Sequence, residues 1–115
     1  MNIWAISCDP STTHLLNVAC REEGHTLRSL DSATETSSGD SPALIFIEAA
    51  GLEPTLVSRL TELLRAHPRC FIALVTGNAL GAESIPQLGS LGINAYVTKP
   101  PTLSDLAGII RKARS

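Results

Sequence analysis

The nine lysines and arginines of this 115-residue chain form no block, and its formal net charge is −2. Without a basic patch there is no electrostatic footprint for nucleic acid or for an anionic membrane surface, so neither is an expected partner. No apolar run exceeds about six residues, far short of the roughly 20 that a spanning helix needs, and Met1 leads into core-like sequence without a signal peptide. A cytoplasmic location is the expectation. Cysteine is scarce: Cys8, Cys20 and Cys70 show no C-x-x-C spacing and no paired histidine ligand nearby. That excludes a disulfide framework or a zinc site and leaves three reduced thiols that act as small apolar residues. His14, His25 and His67 fall on three separate segments without ligand spacing, which argues against catalysis or metal binding by histidine. Glycine is missing from the turn SCDPSTT, residues 7–13, and its absence excludes a dinucleotide-binding or P-loop reading. No internal repeat occurs.

What is present is enough apolar sequence, 43% of the chain, to bury one core, so residues 1–115 are expected to form one domain. Ile3-Trp4-Ala5-Ile6 reads as a short strand, and Asp9-Pro10-Ser11 supplies a helix start: a capping carboxylate, then a proline where no backbone donor is needed. Leu15, Leu16, Val18 and Ala19 form an apolar stripe that Gly24 ends. His25 to Leu30 is a weakly marked second strand. Residues 31–42, DSATETSSGDSP, have no apolar period and read as loop, so the helix between the second and third strands should be short or missing. Ala43 to Ile47 is a continuous apolar strand that stops at Glu48. Leu56, Val57, Leu60, Leu63 and Leu64 recur at helical spacing until His67-Pro68. Phe71 to Val75 is another apolar strand, a short or broken helix containing Pro86 should lie within Gly81 to Leu91, and Ala95-Tyr96-Val97 is a fifth strand. Leu103, Leu106, Ile109 and Ile110 then mark a last helix that ends on basic residues.

Strands that are apolar at every position are covered on both faces, so the alternation predicts an α/β fold with a parallel sheet between helices. In such sheets the functional site lies beyond the carboxyl ends of the strands. Ser7, Cys8 and Asp9 fall there after the first strand, Glu48 after the third, Thr76 after the fourth, and Lys99-Pro100 after the fifth.

With Thr76 in VTG, and with Tyr96 and Lys99-Pro100 in GINAYVTKPPT, this constellation resembles the receiver domain of two-component response regulators over nearly the whole chain. The resemblance implies a flavodoxin-like five-stranded sheet in the order 2-1-3-4-5 with helices on both faces. It also implies a pair of acidic residues that hold magnesium after the first strand, and a phosphate-accepting aspartate that ends the third. Here the pattern departs. Cys8 stands in place of the first acidic residue, leaving Asp9, and Glu48 stands in place of the acceptor aspartate. A soft sulfur replaces a hard oxygen ligand, so only weak magnesium binding, through Asp9 and Glu48, is implied. Glu48 is one methylene longer than aspartate, which moves its carboxylate by roughly 1.5 Å in a reaction sensitive to about 1 Å. Glu48 is therefore expected to be a permanent partner of Lys99, or else a solvated carboxylate at a strand end.

The expectation is a pseudo-receiver, not an enzyme: a regulatory protein–protein interaction module in signal transduction, independent of phosphorylation and part of a larger protein with an output or kinase domain. The alternatives are a working phosphoacceptor and a receiver-like sensor of a small ligand such as a cyclic dinucleotide. The family's usual docking face joins its fourth helix, fifth strand and fifth helix. Tyr96, Leu103, Arg111 and Lys112 would lie there, with a protein partner or a second copy as occupant.

Overall fold

The computed structural model describes residues 1–30, 41–77 and 80–114. Strands β1 (Asn2–Ile6), β2 (Thr26–Leu30), β3 (Leu44–Ala49), β4 (Phe71–Thr76) and β5 (Ala95–Thr98) alternate with helices α1 (Pro10–Glu22), α2 (Pro54–Ala66), α3 (Ile85–Ser90) and α4 (Leu103–Arg114). All strand pairs are parallel, as the apolar strands predict, and the order is β2-β1-β3-β4-β5, the flavodoxin-like arrangement that the resemblance implies. The expected loop over 31–42, and with it the short or missing helix, falls mostly on residues 31–40, which lie outside the described residues.

The unbroken apolar strands divide their side chains between two cores. Leu44, Phe46, Ala73 and Val75 meet Leu16 and Ala19 of α1 and Leu106 and Ile110 of α4 on one face. Ile45, Ile47, Ile72 and Leu74 meet Leu56, Leu60 and Leu63 of α2 and Leu88 of α3 on the other. Successive residues of a strand point to opposite faces, so only a sequence apolar at every position can bury both. Phe46 and its neighbours Ile45 and Ile47 are fully buried.

Local chemistry fixes where the helices begin. Asp9 caps α1, its Oδ1 accepting the Thr12 N–H at 2.8 Å, and proline opens the first turn. At α4 the capping is reciprocal: Asp105 N–H donates to Thr102 Oγ1 at 3.0 Å and Thr102 N–H to Asp105 Oδ2 at 3.2 Å. Pro86 is accommodated because α3 is short and the proline falls in its first turn, where no intrahelical donor is required. Gly92 leaves α3 with φ of 83°, a conformation that favours glycine, and a Cβ there would stand 2.3 Å from Leu64 Cδ1, so the tip of that side chain would have to move.

Strand ends differ from the sequence reading at the site: β4 includes Thr76 and β5 includes Thr98, and the largest extension is in β3. β3 continues two residues past Ile47, and Glu48 pairs in register with Val75. The carboxylate is thus borne by the sheet itself rather than by a loop beyond it, because the backbone ladder continues although the apolar run has stopped.

Candidate functional site

Parallel pairing brings the carboxyl ends of β1, β3, β4 and β5 to one edge of the sheet. Beyond β1, the Ser7 N–H donates to Leu30 O at 3.0 Å, and Ser7 then turns into the left-handed region with φ of 57°. That turn directs Cys8 and Asp9 back over the sheet. Beyond β5, the Lys99 N–H donates to Thr76 O at 2.8 Å, which extends the β4–β5 pairing by one residue and delivers the lysine to the same place.

Three of the five sequence-predicted positions form a charged group. The Lys99 ammonium donates to Glu48 Oε2 at 3.0 Å and also to Asp9 Oδ2. Glu48 Oε1 accepts the backbone N–H of Asp9 at 3.1 Å. Both oxygens of Glu48 are therefore engaged, one by the β1–α1 turn and one by the lysine after β5. Its side chain is the most enclosed of the three, 16% exposed against 29% for Lys99 and 34% for Asp9.

The ionisation states follow from these contacts. The Lys99 ammonium bond, reinforced by the Thr12 N–H, holds the Asp9 carboxyl down at about 2. Hydrogen bonds to Asp9 and then to Glu48 raise Lys99 above the ordinary lysine value. Burial, followed by the charges of Glu48 and Asp9, pushes the Cys8 thiol up to about 12. Near neutral pH the thiol is protonated, with its sulfur 3.7 Å from Ile6 O and 3.9 Å from Phe46 O.

These residues do not fit a magnesium ion. Magnesium requires hard oxygen ligands in octahedral geometry, whereas here two carboxylates are held by an ammonium and the third position is a protonated thiol. Among the described residues no group of three or more His, Cys, Asp or Glu side chains could hold a metal.

Of the other predicted residues, none joins the ion pairs of Lys99 with Asp9 and Glu48. Thr76 is fully buried, and its hydroxyl donates to Ala50 O at 3.2 Å, a backbone acceptor in the turn after β3. Tyr96 is 38% exposed on β5. Leu103 opens α4, half-buried against the core shared with α1. Arg111 donates from Nε to Glu23 Oε1 at 2.9 Å, and both it and Lys112 are exposed near the end of α4. One participant had no signal in the sequence. Arg59 of α2 reaches the β1–α1 turn and donates to Ser7 Oγ at 3.4 Å, from a position that borders the apolar stripe of its helix.

No protein-family model matches the chain, and no curated protein matches it in sequence. Solved structures do match. A response regulator from Thermotoga maritima superposes with a TM-score of 0.83 at 15% identity, over 97% of this chain and 95% of that one. A CheY-like response regulator receiver domain protein from Methanospirillum hungatei gives 0.76 at 20% identity, over 96% and 90%. A protein of Sinorhizobium meliloti described as a candidate CpaE2 pilus assembly protein gives 0.80 at 16% identity, over 98% and 99%. At these identities the likeness is one of fold: the chain has the fold of response-regulator receiver domains.

Proposed function

We propose that the chain is a pseudo-receiver, a regulatory protein–protein interaction module that works without accepting phosphate, as one domain of a larger cytoplasmic protein. The observation that carries this reading is the Lys99 ammonium held by Glu48 at 3.0 Å and by Asp9. In a phosphate-accepting site a cation must be free to meet charge that develops on the phosphoryl group, and a metal ion must bridge its oxygens. Here the lysine is already neutralised by resident carboxylates, the first acidic position is a half-buried, protonated thiol, and the acceptor position carries a side chain anchored at both oxygens. The arrangement supports a fixed surface rather than a switched one, with recognition by a protein partner as its output.

The likeness to the Sinorhizobium meliloti protein, which covers nearly all of both chains, favours a more specific version in which the partner belongs to a pilus-assembly apparatus. The face around Tyr96, Leu103, Arg111 and Lys112 is the proposed contact, for that partner or for a second copy.

The test is labelling of four proteins with acetyl phosphate and magnesium, read by intact mass: wild type, Cys8→Asp, Glu48→Asp and the double variant. Wild type and both single variants should remain unlabelled, while the double variant, with the acidic pair and acceptor restored, should bind magnesium more tightly than either single variant. Metal and acceptor act as one unit, so the gains should be non-additive. A phosphorylated wild type overturns the proposal in favour of the phosphoacceptor reading.

A further inference from the structure

At the amino-terminal ends of the strands, far from Lys99, three parts of the fold meet around one histidine. The His25 N–H donates to Cys20 O of α1 at 2.8 Å, and the Thr26 N–H donates to Met1 O at 3.3 Å, where the pairing of β1 with β2 begins. The side chain adds a further tie: the Met1 ammonium donates to His25 Nδ1 at 2.9 Å. An ammonium can only donate, so Nδ1 is the acceptor and the ring is neutral, with its proton on Nε2. Nε2 is buried and has no hydrogen-bond partner among the described residues.

The charges that face the ring come from three elements. The Met1 ammonium precedes β1, Glu23 follows α1, and Arg114 ends α4. Glu23 is already engaged, with Oε1 accepting from Arg111 Nε at 2.9 Å and Oε2 standing 3.9 Å from an Arg114 nitrogen. Burial, then the Met1 ammonium and Arg114, hold the imidazole below the ordinary histidine value, and Glu23 opposes them.

From this geometry we infer that His25 is an acid-sensitive latch, which ties Met1 to the start of β2 while the ring is neutral and releases it for Glu23 when the ring is protonated. The atom that accepts from Met1 is the one that takes up the proton. The imidazolium then carries N–H groups on both nitrogens, so a donor faces the ammonium where an acceptor stood, and two like charges oppose each other. Glu23 is the carboxylate facing the ring, and the imidazolium competes for it with Arg111 and Arg114. Because the folded value is lowered, the stability that the neutral ring supplies is whole above about pH 6.5 and is lost as the pH falls from there through the folded value. The latch does not rest on the pseudo-receiver reading.

Ring ¹⁵N spectra of His25, with hydrogen exchange at the Thr26 amide, test the inference in the whole chain between pH 8 and pH 4. The ring should carry its proton on Nε2 at pH 8 and titrate with a midpoint below 6.5. Thr26 exchange, corrected for its intrinsic rate, should quicken by about tenfold across that midpoint, as a latch worth one pKa unit requires. His25→Asn sets an amide oxygen near the place of Nδ1 and cannot titrate, so its corrected Thr26 exchange should stay level. Acetylating the Met1 amino group removes a facing cation, and the His25 midpoint should rise toward 6.5. A wild-type midpoint at or above 6.5, a proton on Nδ1 at pH 8, or Thr26 exchange that ignores the midpoint overturns the latch. So does exchange that quickens equally in His25→Asn, or a midpoint that acetylation leaves in place.

Discussion

Replacing Lys99 with methionine keeps most of the side-chain length and removes the charge that joins Asp9 to Glu48. In the wild type the ammonium bond is the largest cause of the low Asp9 value, about 2 against an ordinary 3.8. An opposite charge at this range lowers a carboxyl by roughly one to three units, so its loss should return Asp9 to the ordinary carboxylate range. The Thr12 N–H cap persists in the variant and still lowers Asp9, so the value should rise toward the ordinary one without passing it. The expected change is an upward move of about one unit or more, read by carboxyl ¹³C titration of Asp9 in both proteins. The linkage has a definite sign. Because the folded value is depressed, the Asp9 contribution to stability is present above about pH 4 and disappears as the pH falls from about 4 to about 2. In the variant this contribution is missing, so the wild type's advantage should be full above about pH 4 and shrink as the pH falls toward 2, where the variant's own profile should be the flatter of the two. Lys99→Arg keeps the charge and should titrate like wild type. An Asp9 midpoint that stays near 2 in Lys99→Met would refute the reasoning and assign the depression to the Thr12 N–H instead.

Other consequences are equally direct. Half-buried Cys8, with a folded value of about 12 against an ordinary 9, should alkylate more slowly in native protein at pH 8 than in denaturant; native labelling as fast as in denaturant would contradict the raised value. Gly92→Ala should destabilise by about 1–3 kcal/mol in denaturant melts, since it combines a positive φ with a clash against Leu64, and Leu64→Ala in the same protein should recover part of the loss. Phe46→Ala should cost about 3–5 kcal/mol, as expected for a fully buried aromatic ring; a cost below about 1 kcal/mol would mean that the packing around it is loose. Thr102→Ala should cost about 1 kcal/mol by removing one half of the α4 capping pair, and Asp105→Ala in the same background should add little further.

The fold was largely legible because two-sided burial leaves a strong trace. Leu44 to Ile47 and Ile72 to Val75 have no polar position, and the Asp9-Pro10 pair marks a helix start by chemistry alone. β2 was faint for the complementary reason: it is an edge strand, and of its five residues only Leu30 is buried. The residues of the charged group could be assigned to strand ends, since in a parallel sheet those ends converge. Their pairing could be proposed only through the resemblance to receivers. Other features have no local periodicity at all. The contact of Arg59 with Ser7 and the pairing of Arg111 with Glu23 join residues 52 and 88 positions apart. The direction in which the Thr76 hydroxyl donates depends on the course of the turn after β3, which no side-chain pattern encodes.

The clamp around Glu48 ties together parts of the chain that are synthesised far apart: Lys99 lies 90 positions from Asp9 and 51 from Glu48. Neither contact can form until the last strand has docked, because Lys99 is positioned by the pairing of β5 on β4. The clamp is thus a late event in assembly, and its contacts lengthen the average loop that folding must close. It also makes the far edge of the sheet answerable to the middle: opening of β5 alone would strip Asp9 and Glu48 of their cation, so partial unfolding at that edge should propagate to the β1–α1 turn instead of staying local. Hydrogen exchange at Lys99 and Asp9 should therefore report one cooperative unit, although the two residues lie near opposite ends of the chain.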